Sequence, residues 1–344
     1  MNTPNQTGKS SPPIPPVHIL CRALNRIRPQ CITVLTYHRI APDNLPNTPG
    51  KHLGISATKS NFCKHLQLLK NSTNVIPASQ LASWIRGESS LPPNASIITF
   101  DDGYRDNMTQ ALPLLQKLNL PAIIYLCTDN IGSQTPQYWD LAIYGFQKAT
   151  HKTYTLPIIG TVQLCSKNIN KICRRWIYAV KALSTAQRKQ ATDELIQVLN
   201  VIVPADAFKD LYLSWDEVRS MQRSGIEFGA HTVTHPILST LPDDIAQQEI
   251  INSKLKIESE LKTPVTSFAF PNGLPGDYND QHITTLRNAE FDMAFTLSPG
   301  PTTRTTVKKN PYKIRRIYIG IKDSPMRFAL KLCGATRIYK QSAP

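Results

Sequence analysis

The sequence lacks the features that mark membrane-spanning, exported and disordered proteins. It contains no run of about eighteen apolar residues, which a transmembrane helix would need. Residues 1–16 are polar and rich in proline, without the apolar stretch or the cleavage site of a secretory signal. Only 18% of the 344 residues are charged, whereas 41% are hydrophobic, a balance typical of a globular protein with a substantial core.

Paired cysteines are also missing. The seven cysteines are scattered along the chain and none forms a C-x-x-C pair. This distribution supports neither a disulfide framework nor a cysteine-based zinc site. We therefore expect free thiols in a reducing compartment, and we predict a cytoplasmic location.

Acidic residues are scarce. The chain has 24 Asp and Glu against 39 Lys and Arg, which gives a net charge of +15. Seven basic residues and no acid lie between Lys167 and Lys189, and eleven follow from Arg304 onward against Asp323 alone. These runs either form solvated helix faces or bind an anionic membrane surface or a phosphate-bearing molecule. No recognition motif accompanies them, so specific nucleic-acid binding is not expected.

Apolar strand-like segments alternate with amphipathic helical segments over most of the chain. This order predicts parallel strands covered by helices. Seven or eight such units favour a closed barrel, with an open doubly wound sheet as the alternative. The predicted strands are residues 32–36, 96–100, 121–127, 226–230, 265–270, 292–297 and 314–319.

Polar side chains follow several of these strands at their carboxyl ends. They are His38, the pair Asp101 and Asp102, and the pair His231 and His235. In a parallel barrel these ends meet at one rim, so we expect the groups to lie together. Each pair alone has an ordinary explanation as a turn or a hydrogen-bonded loop. Together, one carboxylate and two imidazoles are typical of an open metal site with room for water.

Four segments carry a family resemblance. Residues 99–103 read T-F-D-D-G and residues 231–236 read H-T-V-T-H-P. Both resemble motifs of the polysaccharide deacetylases, the carbohydrate esterase family 4 proteins with a NodB homology domain. Residues 268–273, F-A-F-P-N-G, resemble a third motif of that family. Residues 36–40, T-Y-H-R-I, resemble the opening of its exopolysaccharide deacetylase branch.

The resemblance covers about residues 32–322 and implies a domain organisation. The expected fold is α/β, a distorted (β/α)7 or TIM-like barrel over residues 32–322. Residues 133–212 match least and contain helical stretches, so we interpret them as a helical insertion. Residues 1–31 are expected to form a flexible basic tail with a short helix at 17–27, and residues 323–344 a C-terminal helix and tail.

The resemblance also implies roles for individual residues. Asp102, His231 and His235 would bind one divalent metal ion, and Asp101 would be the general base. Zinc is the first expectation, with cobalt, nickel, iron and manganese left open by the ligand types. The backbone N–H of Asn272 would stabilise the oxyanion. We expect the neighbouring Pro271 and the strand-end Tyr37 to contact substrate.

Some motif positions depart from the family pattern. Ala269 stands where an arginine often tethers the catalytic aspartate, and no histidine follows His282 to act as the usual general acid. We hypothesise that His38 supplies the acid; the alternative is a buried histidine bonded to a loop carbonyl. Arg315 and Arg316 replace the late histidine motif. We expect them to orient substrate or bind an anion, unless they are solvated.

The predicted function is metal-dependent removal of the N-acetyl group from an amino sugar. The glycan substrate would be a polysaccharide or a lipid-linked, pyrophosphate-bearing precursor, which would place the protein peripherally on a membrane. The alternative is a degenerate deacetylase that binds glycan and metal or serves regulation. Both hypotheses use the same residues and differ in whether turnover occurs.

Overall fold

The computed structural model of the chain describes residues 30–45, 53–332 and 334. The predicted short helix at 17–27 and most of the C-terminal tail lie outside the described residues. Within them there are thirteen strands: β1 (Cys31–Tyr37), β2 (Arg39–Ala41), β3 (Ile55–Thr58), β4 (Asn74–Val75), β5 (Ala95–Asp101), β6 (Ile123–Leu126), β7 (Thr153–Leu156), β8 (Gly160–Gln163), β9 (Glu227–Ala230), β10 (Ser267–Ala269), β11 (Met293–Pro299), β12 (Thr302–Thr303) and β13 (Ile314–Tyr318).

Seven of these strands form a closed parallel barrel in the order β1-β5-β6-β9-β10-β11-β13, because β13 pairs back onto β1. The prediction of a distorted (β/α)7 barrel is confirmed, and the alternative of an open sheet is wrong. Each of the seven predicted strands is present, with ends within two residues of the expected ones. Strand β4 pairs in parallel with β5, and β12 pairs antiparallel with β1.

Helices cover the outside of the barrel and build the insertion. The described residues contain α1 (Lys59–Ser72), α2 (Ala78–Arg86), α3 (Leu112–Leu118), α4 (Tyr138–Lys148), α5 (Ile169–Lys181), α6 (Thr185–Val198), α7 (Trp215–Arg223), α8 (Asp243–Leu261), α9 (Asp280–Asn288), α10 (Arg304–Lys309) and α11 (Pro325–Leu332). A π-helical turn over Asn107–Ala111 precedes α3. None of the described helices is both long and apolar enough to span a membrane.

Side-chain alternation along the strands separates two cores. On β5, Ile98 and Phe100 point outward and pack with the surrounding helices, whereas Ile97 points into the barrel. Thr99 and Asp101 occupy the next inward positions. The barrel interior is therefore apolar at the amino ends of the strands and becomes polar toward the carboxyl ends, where the site lies.

The insertion has a core of its own, built around the fully buried Trp176 of α5. It contains an antiparallel hairpin of β7 and β8, whereas the sequence analysis recognised only helices there. The hairpin has a period-two pattern, because Tyr154 and Leu156 are buried and their neighbours are exposed. Such alternation is the signature of a half-buried strand and was overlooked.

The last helix, α11, is fixed to α1 by a ring stack. The Phe328 ring lies 4.2 Å from the His65 imidazole at an interplanar angle of 7°, and both residues are fully buried. The His65 Nε2–H donates to the Asp323 backbone carbonyl over 2.8 Å. Burial lowers the pKa of His65 to about 4, so this imidazole is neutral near pH 7.

We expect Phe328→Ala to lower the free energy of unfolding by about 3–5 kcal/mol, because it empties a packed site against His65. Urea denaturation followed by circular dichroism measures the change. Met326→Ala in the same helix is the control, since Met326 is 52% exposed and its truncation should cost less than about 0.5 kcal/mol. Equal losses in the two variants would show that α11 is not anchored through Phe328.

Candidate active site

The chemically active side chains meet at the carboxyl end of the barrel. Asp101 is the last residue of β5, and Asp102 follows it directly. His38 follows β1, and His231 follows β9. Because alternate residues of β1 point to opposite sides, Thr36 and His38 face the site while Tyr37 faces the helices.

A buried ion pair fixes Asp101. Arg316 on β13 is fully buried, and its two terminal nitrogens donate to the Asp101 carboxylate oxygens over 2.7 and 2.8 Å. The remaining donors reach the Thr99 hydroxyl and the Thr296 carbonyl. Burial alone would raise the pKa of Asp101, but the Arg316 charge and nearby histidines lower it to about 2. Asp101 is therefore a carboxylate near pH 7.

Asp102, His231 and His235 form a compact donor set. The Asp102 Oδ1 atom lies 3.6 Å from the Nε2 atom of His231 and 3.5 Å from that of His235. These ligand atoms all lie within 4.8 Å of one another, and all three residues are buried. The Asp102 Oδ1 atom is buried without a hydrogen-bond partner among the described groups.

This donor set fits a divalent cation. The His231 Nδ1–H donates to the Ala269 carbonyl over 2.6 Å, which leaves the Nε2 lone pair facing Asp102. Burial lowers the pKa of both imidazoles, so they are neutral. Burial, reinforced by the Asp101 charge, raises the pKa of Asp102 well above its usual range. A bound cation would satisfy the unpaired Oδ1 and offset that penalty.

The loop that carries the two histidines is strained and clamped. Thr232 and His235 have φ angles of 68° and 59°, a left-handed conformation that is costly for residues other than glycine. The Glu249 carboxylate of α8 accepts hydrogen bonds from the N–H groups of Val233 and Thr234 and from the Thr234 hydroxyl. Sequence analysis missed Glu249, because no spacing links it with residues 231–236.

His38 lies beside both carboxylates. Its Nε2 atom is 4.0 Å from the Asp101 Oδ2 atom and 4.0 Å from the Asp102 Oδ2 atom. Its side chain is 24% exposed, so the imidazole is at the solvent-facing rim. Burial lowers its pKa to about 4 although Asp101 acts in the opposite direction. The Nδ1 atom is buried and bonds no described group, so the alternative of a histidine bonded to a loop carbonyl has no hydrogen bond to support it at this atom.

Residues 271–273 form a tight turn after β10. The Gly273 N–H donates to the Pro271 carbonyl over 2.6 Å, and Asn272 between them has a φ angle of 59°. This is the geometry of a strained γ-turn. No described group accepts a hydrogen bond from the Asn272 N–H. Glycine is required at 273, because a Cβ atom there would lie 2.9 Å from the Leu297 backbone nitrogen.

Two predicted substrate residues do not reach the cluster. The Tyr37 side chain packs on Phe62 and Phe100, and its hydroxyl lies 3.4 Å from the His65 Nδ1 atom on the helical side of β1. Arg315 points outward on β13 and is exposed. Arg316, in contrast, is buried, and the anion that it binds is the Asp101 carboxylate of the protein itself. Alternation along β1 and β13 accounts for both outcomes.

A family model described as polysaccharide deacetylase matches residues 88–294. The chain belongs to the polysaccharide deacetylase family. The predicted family is confirmed, and with it the predicted enzyme class, a hydrolase of carbon–nitrogen bonds. The chain is 20% identical over 293 residues to YxkH of Bacillus subtilis, which is itself assigned to the polysaccharide deacetylases; the match spans 85% of this chain and 72% of YxkH.

Solved structures from other organisms share the fold. The deacetylase PplD of Streptococcus pyogenes, solved with acetate, superposes with a TM-score of 0.56 at 17% identity, over 88% of this chain and 99% of that chain. IcaB from Ammonifex degensii superposes with a TM-score of 0.55 at 16% identity, over 88% and 97% of the two chains. Identities this low establish a common architecture and leave the substrate of this polysaccharide deacetylase open.

We expect Arg316→Met to lower the free energy of unfolding by about 3–5 kcal/mol, because it leaves the Asp101 carboxylate buried without a counter-charge. Chemical denaturation near pH 7 measures the loss. Arg315→Met is the matched control, since the neighbouring arginine is exposed. Adding Asp101→Asn to Arg316→Met should recover part of the loss. Similar stabilities of the two single arginine variants would contradict the assignment of the ion pair.

Proposed function

We propose that this polysaccharide deacetylase is a metal-dependent de-N-acetylase of an amino sugar. The observation that carries the proposal is the juxtaposition of two adjacent carboxylates with different surroundings. Asp102 faces two neutral imidazoles, and Asp101 is held as a carboxylate by Arg316. Asp102 would therefore bind the cation, and Asp101 would accept the proton.

Asp102, His231 and His235 would hold the divalent ion, with zinc as the first candidate. Such an ion, when bound, lowers the pKa of water and polarises the amide carbonyl. The Asp101 carboxylate would accept the proton of the attacking water, because Arg316 keeps it ionised and immobile. The free Asn272 N–H would donate to the developing oxyanion. His38, whose Nε2 atom lies 4.0 Å from the Asp101 Oδ2 atom, would take up the proton that Asp101 accepts and pass it to the departing amine at the rim.

Hydrolysis is favoured over a purely binding role by the Arg316–Asp101 pair. Burying two charges is costly, and such pairs contribute little net stability compared with apolar residues of similar size. A metal-binding protein without turnover needs the Asp102 cluster and has no use for a second carboxylate that is kept ionised beside it. The pair is therefore best explained by a proton-accepting function at that position.

Acetate release from N-acetylated oligosaccharides tests the roles of Asp101 and His38. We expect Asp101→Asn and His38→Ala to lower kcat at least about 100-fold, because each removes a proton-transfer group. Bound metal, measured by elemental analysis, should stay at one ion per chain in His38→Ala. His151→Ala is the control, since His151 lies on the exposed part of the insertion. Full turnover by His38→Ala would assign the acid to another group.

The substrate that we propose carries an anionic group. Most of the described basic residues from Arg304 onward make internal contacts, such as Arg316 with Asp101 and Lys331 with Asp323. The insertion helix α5 differs from this C-terminal run, because it presents basic residues on one face. Arg174, Tyr178 and Lys181 share one of its faces, at positions i, i+4 and i+7. No ion pair of Arg174 is seen within the described residues.

This face of α5 is directed at the rim of the barrel. The Lys181 Nζ atom lies 3.9 Å from the Asp277 Oδ2 atom, in the loop that follows Asn272. Partial desolvation raises the pKa of Tyr318 while the nearby Arg174 charge opposes that rise, and the Tyr318 ring is 5.7 Å from the His38 ring. A phosphate bound by Arg174 would thus lie near the reacting amide. A lipid-linked pyrophosphate precursor, met at a membrane surface, has this chemistry.

We expect Arg174→Ala to raise KM about tenfold for a phosphorylated N-acetylamino sugar and to leave KM for the neutral sugar unchanged, because only the former loses a charged partner. Steady-state acetate release on the two substrates measures this. Arg175→Ala is the matched control, since the Arg175 guanidinium donates to the Ile159 carbonyl of the insertion. Equal effects of Arg174→Ala on both substrates would refute an anionic specificity.

A further inference from the structure

The two histidines of the cluster are held in different ways. His231 is oriented by the hydrogen bond from its Nδ1–H to the Ala269 carbonyl, 2.6 Å long. His235 has no such support, because its Nδ1 atom is buried and bonds no described group. Ligand histidines are normally oriented through their second nitrogen. The orientation of the His235 imidazole must therefore come from a contact other than a hydrogen bond to Nδ1.

An aromatic ring packs against the His235 imidazole. The indole of Trp139 lies against the His235 imidazole, with ring centroids 4.7 Å apart and an interplanar angle of 64°. This is the edge-to-face arrangement that aromatic pairs prefer. Trp139 is in the first turn of α4, so the contact comes from the insertion and not from a barrel strand.

The indole is itself fixed by a hydrogen-bonded chain. Its Nε1–H donates to the Tyr104 hydroxyl over 2.9 Å, and the Tyr104 hydroxyl donates to the Asp140 carboxylate over 3.0 Å. The Tyr212 hydroxyl donates to the same carboxylate over 2.9 Å. The Arg39 guanidinium lies over the Tyr104 ring, 5.1 Å from its centroid. Tyr104, Asp140 and Tyr212 are all buried, so the chain is rigid.

We propose that Trp139 is a positioning residue for His235. The indole confines the imidazole to the rotamer in which Nε2 faces Asp102, the task that the Ala269 carbonyl performs for His231. The insertion is then part of the cation site, since Trp139, Asp140 and Tyr212 all belong to residues 133–212. This inference rests on the proposed function in one respect, namely that the confined imidazole serves to bind an ion.

Zinc affinity tests the proposal, with the dissociation constant measured by competition with a chelating dye. We expect Trp139→Ala to weaken zinc binding about tenfold, as the loss of an outer support of a ligand does. Trp139→Phe should restore most of the affinity, because it returns a ring to His235. Trp84→Ala is the control: Trp84 lies on α2, whose first N–H bonds Glu227 at the opposite end of the barrel, and zinc affinity should not change.

A metal-free measurement separates this proposal from the proposed function. In the NMR spectrum of the apoprotein we expect the His235 ring protons to carry a ring-current shift from the indole and to lose that shift in Trp139→Ala. The His231 ring should keep the tautomer set by Ala269 in both proteins. Failure of the wild type to bind zinc would overturn the proposed function alone. Unchanged zinc affinity in Trp139→Ala, or equal changes at His231 and His235, would overturn the positioning role.

Discussion

The site depends on the burial of two adjacent carboxylates at one end of the barrel. Like charges this close cannot both ionise in a low-dielectric setting unless each has a counter-charge. Arg316 provides it for Asp101 from inside the barrel. Asp102 faces outward from this pair, toward two neutral imidazoles and with one oxygen unpaired. A single buried arginine thus makes the two neighbours chemically different.

The strand order explains how that arginine reaches its partner. Strand β1 pairs with both β5 and β13, so Arg316 must cross β1 to meet Asp101. The inward residue of β1 at this level is Thr36, whose small side chain bonds the Thr99 hydroxyl and leaves room for the guanidinium. Ala269 on β10 also points inward. A larger residue at either position would compete with Arg316 for the same space.

Much of this arrangement could be predicted from the sequence, because strand ends are local features. The apolar segments before His38, Asp101 and His231 predicted the barrel strands. Parallel pairing of these strands then placed the three residues at one rim. The role of Arg316 could not be read in the same way, since it depends on which face of β13 points inward and on the neighbour across β1. Sequence analysis left Arg315 and Arg316 equivalent, but alternation gives them opposite surroundings. Glu249 and Trp139 were missed for the same reason, because their contacts join segments with no shared motif.

The insertion is where local sequence patterns were least informative, since its hairpin of β7 and β8 was overlooked. It has a hydrophobic core of its own, around Trp176. It nevertheless places Trp139 against His235 and Lys181 of α5 beside Asp277. Barrel strands position Asp101, Asp102 and His231, whereas Arg174 and Lys181 belong to helix α5 of the insertion. The anionic specificity that we propose would therefore belong to the insertion, and a change of sequence near Trp139 would also act on the proposed cation site.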